Sequence, residues 1–498
     1  MIKLSKANLS GIEGIETPCE KIFQLPEKVL QFGTGVLLRG LPDYFIDKAN
    51  KQNIFNGRVV VVKSTTQNSI DEFATQDNLY TICVRGWKNN AAQSFNYLNA
   101  SISRVINANA DWAGVLACAE NPELKIIISN TTELGIVLDE NDKINTSLAP
   151  TSFPAKLLAF LYRRYQYFNG DKSAGMVVIP TELIPDNGAV LKEICIKLAH
   201  IHSLENEFIQ WLENANEFCD SLVDRIVPGK VNAPEAGEIF HSLGYEDDLM
   251  IMSESYALWA IQTKKPLAIK EILSFHQIDE GVIITENIEK YRILKLHLLN
   301  ASHTFSCMIA LTTGFSYVNE AVNDSEFQHY IQALTDESTR AIASRQITLE
   351  EAKAFAANVL DRFRNPFIKH KWSDIARQTT LKMRMRCVPL FEMYYSKFNS
   401  APTLMIKGFA TYLLFMKTRK EGENFFASVG KKNFLVEDKY AEKLYEHWHA
   451  ENTEAAVKAI ISDKDLWGTD LSVLSNFETE LIKAINVMTV LFNGFSSF

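Results

Sequence analysis

No CxxC pair, no HExxH helix and no other compact cluster of cysteine and histidine occurs in these 498 residues. Neither a structural zinc nor a zinc-activated water therefore has a ready ligand set, and a metal-independent protein is expected. The seven cysteines (Cys19, Cys83, Cys118, Cys195, Cys219, Cys307 and Cys387) are odd in number and scattered, as in reduced proteins and unlike a disulfide framework. Basic excess is lacking too: the formal net charge is -9, whereas phosphate-backbone binders carry dominating basic patches, so nucleic acid is not an expected partner. The longest apolar runs, Gly408 to Met416 and Ala484 to Phe492, fall well short of the ~20 residues that cross a bilayer. Met1 to Pro18 mixes charge and glycine without the apolar centre of a secretory signal. A cytoplasmic protein with no membrane partner, present as a monomer or small homo-oligomer, is the expectation. The absence of any repeat of roughly 20–50 residues removes a solenoid from consideration.

What is present is enough apolar material for more than one core: 47% hydrophobic and 22% charged residues, in a chain longer than the ~250–300 residues at which single cores stop growing. The first half alternates short β-branched runs with helical patterns, which points to βαβ units and a parallel sheet. Val29 to Phe32, Val59 to Val62, Ile126 to Ile128 and Met176 to Ile179 are the clearest strands; their continuous apolar character fits a sheet covered on both faces. From about Ile288 the β-branched runs largely vanish and 3.6-residue periodicity takes over, as in Leu349 to Arg362, Thr403 to Lys417 and Lys439 to His449. The predicted fold class is α/β plus all-α: a Rossmann-like doubly wound domain over residues 1–285, with a mainly helical substrate and catalytic domain over 286–498. The boundary is expected near Asp279 to Asn287.

The strand Val29 to Phe32 runs into Gly33-Thr34-Gly35 and then Val36-Leu37-Leu38-Arg39-Gly40, which reads as a helix opening. A dinucleotide loop needs this order: the first glycine permits the tight turn, and the second lets backbone amides approach a pyrophosphate at a helix amino terminus. Leu38 stands where a third glycine would be. Candidate cofactor contacts are Gly33, Gly35, Val36, Leu37 and Arg39. The next strand ends at Lys63-Ser64, where NAD enzymes place a carboxylate for the ribose, so NAD and NADP both stand on these residues and Lys63 joins the list. A third strand ends in Asn130-Thr131-Thr132-Glu133, polar groups that either line the cofactor or cap the following turn.

Lys295-Leu296-His297-Leu298-Leu299-Asn300-Ala301-Ser302-His303 carries an amine, an amide and an imidazole within nine residues. On a continuous α-helix, Lys295, Asn300 and His303 fall within an arc of about 140° along about 12 Å. Carbonyl reduction needs a proton donor, amide N–H groups for charge on the oxygen, and an orienting clamp, and these three side chains supply them. A lysine serves as acid or base only where burial or positive neighbours lower its pKa. On spacing alone, a solvated lysine, a helix-face asparagine and a core histidine are the better explanation of the segment.

Several ordered segments resemble the long-chain mannitol dehydrogenase family across nearly the whole chain. They are Gln31 to Arg39, Ser129 to Glu133, Phe153 to Leu157, Leu222 to Val227, Leu299 to Thr304 and Arg362 to Pro366. The resemblance implies an oxidoreductase that uses NAD, a small-molecule substrate and no metal. In the family's K-x4-N-x2-H pattern it puts the catalytic lysine at Lys295, an oxyanion amide at Asn300 and the substrate-orienting imidazole at His303. A second oxyanion amide falls on Asn187, in the Asn187-Gly188 pair after a strand expected over Ile179 to Ile184. Asp224 and Arg225 match a motif of the cleft wall, and Lys382 matches a basic residue that contacts substrate after Asn365-Pro366. Mannitol-oxidising members have a glutamate three residues before the lysine; here it is Arg292. A hexuronate or aldonate therefore fits better than a neutral polyol, with Arg292, Lys382 and Arg386 as candidates for its carboxylate. Fructuronate, a polyol and a non-catalytic dinucleotide sensor are the rival readings.

Overall fold

A computed structural model describes residues 1–64, 71–88, 91–131, 135–144 and 147–492. The chain forms two compact units, one of Met1–Arg85 with Gln93–Ile288 and one of Gly86–Ala92 with Glu289–Phe498.

The first unit is built on a parallel sheet of β1 (Glu27–Phe32), β2 (Arg58–Lys63), β3 (Ile102–Asn107), β4 (Ile126–Ser129), β5 (Val177–Pro180) and β6 (Glu217–Phe218). Its spatial order is β3-β2-β1-β4-β5-β6, the doubly wound order in which the chain reverses direction between the first and fourth strands. Pairing of Val29 with Val59 on one side and with Ile126 on the other sets the register at that reversal. Both faces of the sheet are covered, which explains the unbroken apolar runs. Leu30, Phe32, Val60, Val62, Ile127 and Val178 pack into a core with Trp112, Phe160, Leu191 and Phe208 from the helices on one side. Val29, Val59, Val61, Ile128 and Ile179 face the opposite core with Phe45 and Ile46.

After the glycine turn the chain makes a short helix α1 (Val36–Gly40) and then α2 (Pro42–Lys51). Pro42 cannot donate a backbone hydrogen bond and takes the first position of the second helix, so the helix restarts there. The close-packing function of a third glycine, missing at Leu38, is met two residues later: a Cβ on Gly40 would lie 3.0 Å from Val227 Cγ2. The strand expected over Ile179 to Ile184 stops at Pro180, and the chain turns before α3 (Asn187–Ile201).

The second unit is mainly helical. Its central helix, α5 (Ala301–Thr312), follows α4 (Glu289–Leu294) and is buried on every side from Ala301 to Leu311, as expected of a helix enclosed by others. Around it stand α6 (Thr379–Lys382), α7 (Val388–Phe398) and α8 (Thr403–Phe415). Gly408 lets α8 come close, since a Cβ there would meet Phe305 Cβ at 2.8 Å. Periodicity alone did not reveal a small antiparallel sheet in this unit, β7 (Arg419–Glu421), β8 (Asn424–Val429) and β9 (Lys432–Leu435). Its tight turns place Gly422 and Gly430 at φ of 61° and 55°, a region glycine enters without steric cost.

Two stretches depart from α geometry: Lys295–Asn300, between α4 and α5, and Met383–Cys387, between α6 and α7, are wound as π-helix. The Ala301 N–H donates to the carbonyl of Leu296, five residues back. Such segments are rare and concentrate at functional sites.

Candidate active site

In the first unit the candidate cofactor residues gather where the sheet reverses, at the carboxyl ends of β1, β2 and β4. Gly33 sits at φ +124° and its N–H donates to the Val62 carbonyl at 3.0 Å. A Cβ on it would lie 3.0 Å from the Asn130 carbonyl oxygen and 3.1 Å from Leu38 Cδ1, so no side chain fits. Gly35 caps α1, and a Cβ there would enter open space. Val36 and Leu37 form the first turn and are half-buried. A narrow glycine turn opening onto a helix start is the cradle a pyrophosphate requires. Lys63 closes β2 and is buried. No carboxylate stands there, so the ribose partner usual in NAD enzymes is missing from that position.

Arg39, expected to face the cofactor, instead points inward. It is buried, and its guanidinium donates to the Thr34 carbonyl at 3.3 Å and the Leu249 carbonyl at 2.6 Å, which pins the glycine turn from beneath. Its next-door support is polar as well: Gln31 Nε2 donates to the Gly33 carbonyl at 3.2 Å and to Asp43 Oδ2 at 3.3 Å. Burial raises the Asp43 carboxyl to about 7. Arg225 behaves like Arg39: it is buried, donates to the carbonyls of Glu254 and Gly40, and lies 4.5 Å from the Tyr44 ring centroid. Asp224, beside it, ends the strand Asp220–Asp224 and is also buried. The motif matches thus include two arginines, Arg39 and Arg225, whose side chains hold the backbone.

Asn130 and Thr131 follow β4 at the same edge. The Asn130 carboxamide donates to the carbonyl and hydroxyl of Thr181, both at 3.0 Å. Thr131 donates through its N–H and hydroxyl to Glu182 Oε1 at 2.8 and 3.0 Å. Thr132 and Glu133 lie outside the described residues. Sequence reading did not single out Thr181 and Glu182; their only sequence signal is polarity directly after an apolar strand.

The expectation that Asn187 supplies an oxyanion amide is not met. Its side chain is fully buried, and the two hydrogens of its amide face three carbonyls, those of Pro180, Glu182 and Ser221, at 3.0–3.1 Å. Its oxygen accepts from the N–H groups of Gly188 and Ser221 at 3.0 and 2.8 Å. A donor already engaged in this way has no hydrogen for a substrate oxygen. Asn187 holds the turn after β5, and Gly188 is needed there because a Cβ would come within 2.4 Å of the Cys219 carbonyl oxygen.

In the second unit the winding between the lysine and the amide brings the two positions closer in angle than an α-helix does. Residues five apart stand about 140° apart on an α-helix; in a π-helix, whose wider turn joins such residues by hydrogen bonds, they stand only about 50° apart. Lys295 and Asn300, at the two ends of the π segment, thus share one face. Both are half-buried. His303 is buried, stacked on Phe363 at 4.1 Å and edge-on to His370 at 5.1 Å. Its Nε2 has no hydrogen-bond partner among the described residues. Burial, then the charges of His370, Arg362, Arg386 and Lys382, hold its pKa well below the ordinary value. The ring is neutral at physiological pH, with a nitrogen available to a hydroxyl.

The same electrostatics identify a cationic cluster around His303. Lys382, half-buried at the end of α6, donates to the Ile375 carbonyl at 2.8 Å, and burial followed by Arg386 lowers its pKa. Arg386, in the second π segment, donates to Thr304 Oγ at 3.3 Å, and Thr304 Oγ donates to the Asn300 carbonyl at 2.8 Å. His297 completes the link, its Nδ1 lying 2.9 Å from the Arg386 carbonyl. The two π segments are thereby tied to each other. Arg292 is paired with Glu289 at 3.0 Å, one turn before Lys295. No group of three or more metal-ligating side chains occurs among the described residues.

Comparison with known proteins agrees with this layout. Residues 27–272 match the model of the mannitol dehydrogenase Rossmann domain, and residues 287–489 that of the mannitol dehydrogenase C-terminal domain. The chain is 35% identical to the altronate oxidoreductase of Halalkalibacterium halodurans over 481 residues, covering 94% of this chain and 92% of that protein. It is also 35% identical to the altronate oxidoreductase of Bacillus subtilis over 466 residues, 93% of each. Among solved structures, a D-sorbitol dehydrogenase in substrate-free form superposes with a TM-score of 0.78 at 19% identity, over 99% of both chains. Pseudomonas fluorescens mannitol 2-dehydrogenase, solved with NAD and D-mannitol, gives 0.68 at 18% identity over 99% of both. The sheet order, the glycine turn, the helical second unit and relatives of this length lead to one conclusion: the chain belongs to the mannitol dehydrogenase family.

Proposed function

We propose that this dehydrogenase interconverts D-tagaturonate and D-altronate with NAD(H), without a metal, in the breakdown of hexuronates such as galacturonate. The observation that carries the choice of an acidic sugar is a pair of cations: the Arg386 guanidinium donates to Thr304, next to the buried His303, and Lys382 lies four residues before Arg386. A neutral polyol gives such a pair nothing to neutralise, whereas a uronate carboxylate forms charge-assisted hydrogen bonds with it. The names of the two bacterial relatives point the same way.

The glycine turn from Gly33 to Val36 would hold NADH, which would supply the hydride for the ketone carbon. Lys295 gives a proton to the ketone oxygen, and in the reverse direction the neutral amine takes it from the alcohol. Asn300, on the same face, donates an amide N–H to the developing alkoxide. His303 Nε2 holds an adjacent hydroxyl, and Lys382 with Arg386 receives the carboxylate. Ketone, NADH and one proton become alcohol and NAD+.

The test is oxidation of NADH and of NADPH, followed by absorbance, with tagaturonate, fructuronate and fructose side by side. Tagaturonate with NADH is expected to be fastest. A neutral sugar that outperforms both uronates overturns the substrate assignment, and a faster reaction with NADPH overturns the cofactor assignment.

A further inference from the structure

Glu182 follows the fifth strand of the parallel sheet and is 2% exposed, yet no step of the proposed reaction uses it. Its carboxylate gathers three donors from the neighbouring strand end: Ser129 Oγ at 3.1 Å on one oxygen, and the N–H and hydroxyl of Thr131 at 2.8 and 3.0 Å on the other. Thr181 adds a second tie. Its N–H and hydroxyl donate to the Ser129 carbonyl at 2.8 and 2.7 Å, and it accepts from Asn130. The turn that carries Glu182 is itself fastened by Asn187, whose amide donates to the Glu182 carbonyl at 3.0 Å. At the far end of this series of bonds, the carbonyl oxygen of Asn130 lies 3.0 Å from where a Cβ on Gly33 would stand. The segment that Glu182 holds is thus one wall of the space above the glycine turn.

We propose that Glu182 is a positioning residue for the dinucleotide: it fixes Ser129 to Thr131 at the sheet reversal so that the wall opposite Gly33 has one shape before the cofactor arrives. The physical reason is that a loop end carrying several polar groups has many alternative hydrogen-bonding arrangements, and ordering it on binding would cost affinity. A single buried carboxylate accepting three bonds removes those alternatives in advance. The role depends on reach and acceptor geometry. Glutamine, which keeps the length and one carbonyl oxygen for the two Thr131 donors, substitutes well, because the Ser129 hydroxyl can turn to accept from the new amide. Aspartate, shorter by one methylene, does not reach.

This inference rests on the dinucleotide reading of the glycine turn. The experiment measures NADH affinity by fluorescence titration for the full chain and for Glu182→Gln, Glu182→Asp and Glu182→Ala, with kcat at saturating NADH and the thermal midpoint of each. Glu182→Asp and Glu182→Ala are expected to raise the Kd for NADH by about tenfold, the order expected on losing the hub of a buried polar network. Glu182→Gln should stay within about threefold of wild type, and kcat should change less than Kd. If Glu182→Ala does not fold, Glu182→Asp decides. Variants that lower the midpoint while binding NADH as wild type does make Glu182 a stability residue only and overturn the proposal. So does a glutamine variant as weak as the alanine one. A wild-type chain that binds no dinucleotide overturns the dinucleotide reading and the brace with it; wild type that binds, with the aspartate and alanine variants binding equally well, overturns the brace alone.

Discussion

Lys295, Lys382, His303 and Asp43 can each be tested singly, because each does something a neighbour cannot. Lys295→Ala should lower kcat by roughly 10²–10⁴, the usual contribution of a positioned acid or base, while the Kd for NADH from a fluorescence titration stays unchanged. Normal turnover by that variant would remove Lys295 from the chemistry. Lys382→Met should raise KM for tagaturonate about ten- to a hundredfold, as the loss of a charged hydrogen bond predicts, and leave any turnover of fructose unaffected; equal losses on both substrates would argue against a carboxylate contact. Titration gives a third prediction of opposite sign at two sites. The folded-state pKa of His303 lies well below 6.5 because of burial and cationic neighbours. The unfolded chain therefore binds the extra proton first, and this histidine's contribution to stability is complete above about 6.5 and lost as pH falls. Asp43 is shifted upward, from 3.8 to about 7, by burial; its contribution is complete below 3.8 and lost as pH rises toward 7. Thermal melts of His303→Phe should show a shallower decline below pH 6.5, and Asp43→Asn should raise the midpoint at pH 8 more than at pH 5.

At the scale of elements, the winding of Lys295–Asn300 decides whether the amine and the amide share a face. Inserting an alanine after Leu296, a half-buried residue within the segment, sets Lys295 and Asn300 six residues apart, about 120° on an α-helix, and so takes the amine off the face that carries the amide. Helix content by circular dichroism should be retained, while turnover falls at least as far as in Lys295→Ala. An insertion variant with wild-type activity would show that the shared face is incidental. Periodicity marked this stretch as helical and its residue types as reactive, because both are local. It gave an arc of about 140° because apolar spacing cannot distinguish one inserted residue from a regular turn. The sheet meander in the second unit escaped notice for a related reason: its strands are three to six residues long and mostly exposed, too short and too wet to impose an apolar alternation.

For the molecule as a whole, NADH should act as a stabilising ligand. At a hundred times its Kd it adds about 2.7 kcal/mol to the folded state, which differential scanning fluorimetry would register as a raised midpoint, with a smaller rise for NADPH at equal concentration. Identical rises would mean that the missing carboxylate beside Lys63 leaves the two cofactors undistinguished. Two units, a doubly wound sheet and a helical remainder were legible along the chain because burial on both sheet faces writes continuous β-branched runs, and helix faces write a 3.6-residue repeat. The glycine turn was legible because its backbone demands residues without side chains, and Lys295, Asn300 and His303 stood out as candidates because their spacing falls within one short segment. Contacts between distant residues were not legible. Arg39 donates to a carbonyl 210 residues away, Glu182 accepts from donors 51 residues back, and Asn187 donates to a carbonyl 34 residues on. In each case only the folded chain decided whether a polar side chain serves the backbone or remains available to a ligand, since a hydrogen-bonding group has no preference for near residues over far ones once the sheet has brought both within reach.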